Sequence, residues 1–222
     1  MKTGNKIKGA MMNLNTSALK LLATLLLSVL LWGCSSNAKL PEATVHPSLT
    51  SDINDYRYLI GPGDAVNIFV WRNPELSGTF SVRPDGMITT RLIEDIEVTG
   101  RTPTQLAREL EEKLSVYINN PRVSVTIGGY VGPFSEQVRV IGEATNPRAV
   151  NYKENMTLLD LMIAVGGITE FADGNSTQLI RTVDGKQKAY RIYIDDLIRD
   201  GDISKNVDIL PGDIIIVPEA WF

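Results

Sequence analysis

The chain has 222 residues with 22 basic and 26 acidic side chains, one histidine, one cysteine and a net charge of −4 at pH 7. This acidic composition disfavours nucleic acid as a partner, because phosphate binding needs clustered lysines and arginines. One histidine and one cysteine also disfavour a histidine-based zinc site, a Ser-His-Asp triad and a disulfide framework.

The first part of the sequence has the features of a secretory signal. Four lysines precede an apolar stretch in residues 21–34. The stretch is shorter than the roughly 20 apolar residues that cross a bilayer comfortably, and it stops at a small residue. We therefore predict a signal peptide over residues 1–33. The alternative that the pattern leaves open is an uncleaved membrane anchor with an incidental thiol.

Cys34 is the only cysteine in the sequence, and it directly follows the predicted signal. Leu31 and Gly33 fit the lipobox, so the region resembles a bacterial lipoprotein signal. That resemblance implies that Cys34 is lipidated and becomes the first residue of the mature chain. Ser35 stands where an aspartate would imply retention in the inner membrane. We expect a lipid-anchored protein at the outer membrane, facing the periplasm.

The predicted mature chain is more acidic than the whole. Removing the first 33 of the 222 residues leaves 189, enough for one large or two small domains. Four of the 22 basic residues and none of the acidic ones are lost with the signal, so the net charge becomes −8. Residues 34–54 are polar, contain two prolines and the single histidine, His46, and show no periodic apolar face. They predict a flexible tether.

The first predicted domain covers residues 55–130 and opens on a Gly-Pro-Gly-Asp turn at 61–64. Apolar residues then alternate with others up to Trp71, which predicts a strand with Phe69 and Trp71 on its second face. Thr102 and Gln105 have the spacing of a helix capping box, and Leu106, Leu110 and Leu114 would form the buried stripe. The other predicted elements are a hairpin around residues 83–86 that joins 80–82 to 87–89, a short strand at 96–98 and a strand at 123–127.

The second predicted domain covers residues 136–222, after a glycine-rich joint at 128–133. A second capping box, Thr157 with Asp160, opens a helix over 158–165 that is apolar on nearly every side and is expected to be buried. The other predicted elements are strands at 138–142 and 149–152, a hairpin that joins 178–181 to 188–193 through 183–186, one helical turn at 195–199 and a last strand at 214–217. The predicted fold class is α+β, with two small domains.

The Pro-Gly-Asp sequence occurs at 62–64 and again at 211–213, each time before an apolar strand. We interpret the repeat as two uses of a favourable turn sequence. An internal duplication of the chain is the alternative that stays open.

Two groups of acids, Glu94-Asp95-Ile96-Glu97 and Asp195-Asp196, are the candidates for a catalytic carboxylate pair. Neighbouring residues on a strand point to opposite faces, so Glu94 and Asp95 would not converge on one sugar. We interpret these acids as solvated and predict no catalytic residue, no cofactor and no metal site.

Two sets of motifs follow one another along the chain. The first set is at residues 58–64, 82–86 and 100–102, and the second is at residues 138–142, 146–147, 158–167 and 210–213. The first set resembles the export-sequence domain, and the second the soluble-ligand-binding β-grasp (SLBB) domain, of the polysaccharide export family typified by Wza. Residues 169–175 and 216–222 look closest to the exosortase (PEP-CTERM) associated branch. The resemblance covers about residues 56–222 and implies an export-sequence α+β domain followed by a β-grasp-like SLBB domain.

The same resemblance implies a homo-oligomeric ring through which exopolysaccharide leaves the cell, coupled to an inner-membrane polysaccharide copolymerase. Larger relatives carry a further β-grasp domain and a C-terminal amphipathic helix that lines an outer-membrane pore. This sequence ends at Phe222, directly after its last predicted strand, so we expect no C-terminal transmembrane helix. The resulting hypothesis is a periplasmic ring with a separate outer-membrane β-barrel as partner.

A second hypothesis is a monomeric sugar- or cell-wall-binding outer-membrane lipoprotein. Tyr56, Tyr58, Trp71 and Tyr130 could stack on sugar rings, although core packing is favoured over an exposed role for each aromatic residue. The terminal Trp221-Phe222 pair would either dock a partner or staple the last strand to the core, and the staple is favoured.

Overall fold

A computed structural model of the chain describes residues 40–41, 43–50 and 52–221. The predicted signal peptide, Cys34 and Phe222 lie outside the described residues. The described residues at 40–44 have no regular secondary structure. From Val45 onward the described chain forms one compact unit that holds two clusters of buried apolar side chains. We call the parts of the chain around these clusters the first and the second module.

The described residues contain ten strands and three α-helices. In chain order these are β1 (Ala65–Val70), β2 (Gly78–Ser81), β3 (Met87–Ile88), β4 (Ile96–Glu97), α1 (Pro103–Leu114), β5 (Val123–Gly128), β6 (Gln137–Gly142), β7 (Arg148–Asn151), α2 (Leu158–Val165), β8 (Thr177–Val183), β9 (Lys186–Ile192), α3 (Ile194–Ile198) and β10 (Ile214–Val217). The mixture of helices and sheets confirms the predicted α+β class.

The first module is built on an antiparallel sheet of order β2-β1-β5. The predicted alternation in β1 is confirmed, because Val66, Ile68 and Val70 are buried while the residues between them face outward. A strand with one apolar and one polar face gives this pattern when one side of the sheet covers a core. Helix α1 lies against β5 and adds the predicted leucine stripe to the same core.

The hairpin predicted around residues 83–86 is wrong in its pairing. The turn itself forms, with Gly86 at φ +83° and its N–H bonded to the carbonyl of Arg83. However, β2 pairs with β1, and β3 pairs with β4. A local turn signal cannot decide which strand becomes the partner, because that choice depends on which apolar faces cover the core.

The second module contains a five-stranded sheet of order β7-β6-β10-β8-β9. Its central strand β10 runs parallel to β6 and antiparallel to β8, so the sheet is mixed. The hairpin predicted through residues 183–186 is confirmed, because β8 and β9 pair along their length. Asp184 and Gly185 have φ of +53° and +71° at the turn, as a tight two-residue hairpin loop requires.

Both predicted capping boxes are confirmed. Thr102 and Gln105 exchange side-chain and backbone hydrogen bonds at the start of α1, and Thr157 and Asp160 do the same for α2. The two bonds to Asp160 from Thr157 also lower the pKa of that carboxyl. The sequence predicted that α2 would be buried, and this is only partly correct, because Ile163 is 72% exposed.

Among the residues that the structure describes, no helix combines the length and the apolar character needed to cross a membrane.

Candidate functional site

The first Pro-Gly-Asp turn is closed by a fully buried carboxylate. Asp64 is 0% exposed. Its Oδ2 accepts hydrogen bonds from the Gly61 N–H at 2.9 Å and from the Tyr58 hydroxyl at 2.6 Å. Its own N–H donates to the Gly61 carbonyl at 3.1 Å. The side chain and the backbone of one residue therefore hold the turn that leads into β1.

The second Pro-Gly-Asp turn repeats this local arrangement. Asp213 is 1% exposed, and its Oδ2 accepts from the Leu210 N–H at 2.8 Å. Its N–H donates to the Leu210 carbonyl at 3.2 Å. The turn leads into β10 as the first leads into β1. Here Arg181 also donates hydrogen bonds to both carboxylate oxygens of Asp213, at 2.9 and 2.6 Å. These bonds raise the pKa of Arg181.

The glycine-rich joint between the modules packs against the first turn. Asp64 Oδ1 accepts from the N–H groups of Val131 and Gly132, at 2.6 and 3.3 Å. A Cβ on Gly61 would lie 2.0 Å from the carbonyl carbon of Gly132. Ser135, two residues after the joint, approaches the second turn, because a Cβ on Gly212 would lie 2.7 Å from its carbonyl oxygen. Both approaches have distances that only glycine permits.

A third buried acid binds the end of the predicted tether. Glu136 is 6% exposed and accepts from the Ser48 hydroxyl at 2.9 Å, the Leu49 N–H at 2.6 Å and the Thr50 hydroxyl at 2.7 Å. Residues 48–50 are thus attached to the start of the second module. We call the joint, the two turns and this attached segment the junction.

Two tyrosines near the start of the first module belong to the junction. Tyr56 packs edge-on against Tyr152 of the second module at 5.0 Å, and burial raises the pKa of Tyr56 to about 12. Tyr58 packs edge-on against Tyr130 at 5.4 Å. Burial, followed by the bond to Asp64, raises the pKa of Tyr58 well above its usual value.

These contacts settle the position of the aromatic residues that were candidates for stacking on sugars. Tyr56 and Tyr58 are partly buried structural residues of the junction, and Tyr130 is 58% exposed beside Tyr58. Trp71 is 58% exposed and its neighbour Phe69 is 50% exposed. Phe69 and Trp71 thus lie on the second face, as predicted. The core packing that was favoured for Trp71 and Tyr130 was wrong; for Trp71 the reason is that the inner face of β1 is already filled by aliphatic side chains.

The outer face of the first sheet forms an open cleft of about 400 Å³. Phe69 and Trp71 lie on one side of it in an edge-to-face pair, with ring centroids 6.4 Å apart. The rest of the lining comes from α1 and from the start of β5, namely Arg108, Glu111, Arg122, Val123 and Ser124.

Three of the candidate catalytic acids are occupied by other partners, and Glu94 and Glu97 are exposed. Asp95 forms an ion pair with Arg83 at 2.7 Å, and Asp195 forms one with Arg199 at 2.9 Å. Asp196 accepts from the Asn175 side chain at 2.6 Å. Within the described part of the chain, no group of three His, Cys, Asp or Glu side chains could hold a metal ion.

The terminal tryptophan does not staple the last strand. Trp221 is 100% exposed. The end of the chain is instead held by its backbone, because Ala220 donates to the Phe171 carbonyl at 2.7 Å and Glu219 bridges to Ala172. The favoured role of Trp221 was therefore wrong, and its suggested partner in that role, Phe222, lies outside the described residues.

Sequence reasoning missed the roles of Asp64, Glu136 and Asp213. Glu136 lies 86 to 88 positions from the residues that it binds, and a contact of that separation leaves no local pattern. The repeated Pro-Gly-Asp sequence was the available signal for the two aspartates, since a carboxylate at this position can close its own turn.

The fold and the junction define a protein of two consecutive α+β modules that are joined through buried carboxylates. Residues 52–128 match the family described as polysaccharide biosynthesis/export protein, and residues 136–217 match the SLBB domain. The chain belongs to the Wza-type polysaccharide export family.

Three curated relatives are similar along much of the chain. The EPS I polysaccharide export outer membrane protein EpsA of Ralstonia nicotianae is 26% identical over 186 residues, 73% of this chain and 47% of the relative. The capsule polysaccharide export protein BexD of Haemophilus influenzae is 25% identical over 179 residues, covering 72% and 43%. The exopolysaccharide production protein ExoF of Rhizobium meliloti is 25% identical over 130 residues, covering 53% and 30%. The chain spans less than half the length of each of these relatives.

Proposed function

We propose that this protein takes part in exopolysaccharide export as a lipid-anchored outer-membrane protein that faces the periplasm. The observation that carries the proposal is the match of both modules, in order, to the export family and to the SLBB domain. The names of two relatives support the proposal, because EpsA is a polysaccharide export outer membrane protein and BexD is a capsule polysaccharide export protein. Transport of this kind needs no bond chemistry, so the proposal assigns no catalytic residue.

The finer proposal is that the protein assembles as a homo-oligomeric ring around the path of the polymer. A closed ring needs one surface of each subunit to fit a different surface of the next. The junction supports this role, because Asp64 fixes the joint between the modules and Glu136 attaches residues 48–50 to the second module. A subunit with a fixed joint repeats one geometry from copy to copy, which ring closure requires.

The proposed partners are the exopolysaccharide, an inner-membrane polysaccharide copolymerase and a separate outer-membrane β-barrel. We place the protein in the exosortase-associated branch of the family. If the barrel partner is correct, deleting a neighbouring barrel gene blocks secretion while this protein stays intact. Normal export in that strain would remove the barrel from the proposal.

Deletion of the gene tests the export function directly. The deletion strain is expected to lose secreted exopolysaccharide, measured as acid-hydrolysable sugar in the culture medium, and a plasmid copy should restore it. Cys34→Ser should abolish incorporation of labelled palmitate and release the protein from the outer-membrane fraction. Normal secretion by the deletion strain would refute the export function.

Size in mild detergent tests the ring against the alternative, a monomeric sugar- or wall-binding lipoprotein. A ring has several times the mass of one chain, and images of the purified lipoprotein should then show a closed annulus. A single chain at high concentration would favour the binding module. The partly buried positions of Tyr56 and Tyr58 remove two of the four aromatic residues on which that alternative rested.

A further inference from the structure

The outer face of β1 and β5 carries a row of paired side chains that the core does not use. The register places Phe69 opposite Ser124, and the N–H of Trp71 donates to the carbonyl of Arg122 at 2.9 Å. All four residues are exposed. The small serine leaves the ring of Phe69 uncovered, while Trp71 is paired with Arg122 through the backbone, and both residues line the cleft.

The indole of Trp71 is carried on a fixed backbone. Besides the bond to Arg122, the Trp71 carbonyl accepts from the Asn73 side chain at 3.0 Å, and the Asn73 N–H donates to the Val70 carbonyl at 3.1 Å. An exposed aromatic ring on a fixed backbone loses little conformational entropy when a ligand stacks on it. The exposed indole of Trp71 is thus suited to binding a ligand, whereas a buried indole would contribute to the stability of the core.

The opposite wall of the cleft is also fixed. Glu111 of α1 accepts from the Val123 N–H at 2.9 Å, and Arg108 donates to the Val123 carbonyl at 3.2 Å. These two side chains cap the free edge of β5 and pair with each other at 2.6 Å. The charges of Arg108 and Glu111 are therefore compensated within the wall.

Arg122 is the uncompensated charge of the cleft. Its guanidinium forms no ion pair with any carboxylate of the described residues. A guanidinium binds a carboxylate through two parallel hydrogen bonds, so Arg122 is available to an acidic ligand. A cleft lined by two exposed aromatic rings and by a guanidinium without an ion pair favours a ligand that is both ring-shaped and negatively charged.

We propose that this cleft is a binding site for acidic sugar residues of a polysaccharide. A sugar ring stacks its C–H face on Trp71 beside Phe69, and its carboxylate pairs with Arg122. The open shape admits an internal unit of a long polymer, which an enclosed pocket would not. The site rests on the proposed export function and deepens it by assigning an acidic polymer as the cargo.

Binding is tested with the full lipoprotein in detergent and a tetramer of galacturonic acid, by titration calorimetry. The fully methyl-esterified tetramer is the neutral probe of the same ring structure. We expect the acid to bind at least fivefold more tightly than the ester. Trp71→Ala should weaken both at least tenfold, while Arg122→Gln should weaken the acid alone and abolish the difference between the probes.

Trp221→Ala is the matched control, because it removes a fully exposed indole from the other module, and it should leave both affinities unchanged. Trp71→Phe keeps an aromatic ring and should retain part of the binding. Circular dichroism of each variant establishes that it is folded.

Absence of binding by the acid at millimolar concentration, or unchanged binding by Trp71→Ala, would overturn the site. If a cleft variant forms a smaller particle in detergent than the parent protein but binds the acid equally well, the site is also overturned, since the face would then be a contact between copies. The secretion assay separates failure of the export function from failure of the cleft site. Normal secretion by the deletion strain would refute the export function. Lost secretion by the deletion strain, together with unchanged binding and secretion by the cleft variants, would refute only the site.

Discussion

The hydroxyl of Tyr58 donates a hydrogen bond to the fully buried carboxylate of Asp64, with 2.6 Å between the two oxygens. The same carboxylate accepts from the turn at Gly61 and from the joint at Val131 and Gly132. One side chain therefore links the start of the first module, the turn before β1 and the chain that leads to the second module.

Substitutions at this pair should destabilise the fold to different degrees. Asp64→Asn places an NH₂ group among N–H and O–H donors, and a buried group without its partner costs about 3 kcal/mol of unfolding free energy. Tyr58→Phe removes one donor and should cost about 1.5 kcal/mol. Urea unfolding followed by circular dichroism measures both values.

Asp184→Asn is the control for the aspartate, because Asp184 lies in the exposed β8–β9 turn, where asparagine tolerates the positive φ. It should change stability by less than about 0.5 kcal/mol. A similar loss for Asp64→Asn and Asp184→Asn would show that the buried network contributes no special stability.

Stability should fall in alkaline solution because of the junction tyrosines. The folded protein raises the pKa of Tyr56 to about 12, whereas an unfolded tyrosine ionises near 10. The neutral phenol is favoured in the fold, so the unfolded chain releases its proton first and stability is lost as the pH rises from about 10 to 12. Below pH 10 this contribution is fully present.

The pH dependence is measured as the urea midpoint at intervals between pH 8 and 12. Tyr58→Phe removes a second phenol with a raised pKa. The variant should be less stable at pH 8 and should lose less stability than the parent on going to pH 12. If the urea midpoints of the parent and of Tyr58→Phe fell in parallel with pH, the raised pKa of Tyr58 would not contribute to the alkaline loss of stability.

Gly61→Ala should disrupt the junction. The added Cβ would lie 2.0 Å from the Gly132 carbonyl carbon, and backbone on both sides cannot move apart cheaply. We expect the free energy of unfolding to fall by about 3 kcal/mol or more, since overpacking against backbone exceeds the usual cost of an inserted methyl group. The readout is the thermal unfolding midpoint.

Gly185→Ala is the comparison for this variant. Gly185 has a φ of +71° but open space around its Cβ position, so only backbone strain applies. That strain costs about 1 to 2 kcal/mol. If Gly61→Ala were no worse than Gly185→Ala, the close approach of turn and joint would not exist in solution.

Glu136→Ala should release residues 48–50 from the second module. The substitution removes the acceptor for the Leu49 N–H and for two hydroxyl groups. Limited proteolysis should then cut near this segment at least fivefold faster, because cleavage follows the population of the open form. Glu154→Ala, on an exposed residue, should leave the cleavage rate unchanged.

Local features of the fold could be predicted from the sequence because their causes lie within a few residues. The capping boxes at Thr102 and Thr157 depend on a partner three residues away, and the Asp184-Gly185 turn depends on two positive φ angles. The alternation in β1 depends only on which side chains are apolar. The family resemblance was likewise carried by short motifs in the right order.

The tertiary structure decided what depends on distant partners. It paired β2 with β1, although a turn signal joined β2 to the segment that follows, and it left Phe69 and Trp71 on the outer face. It also brought Glu136 to residues 48–50 and Asp64 to Val131, 67 positions along the chain. The sequence by itself determined the kind and the approximate position of the main helices and strands, since these follow from local hydrogen bonds and the period of apolar residues. The pairing of strands that are not joined by a tight turn, and the partners of the buried carboxylates, follow from long-range packing, which local patterns do not record.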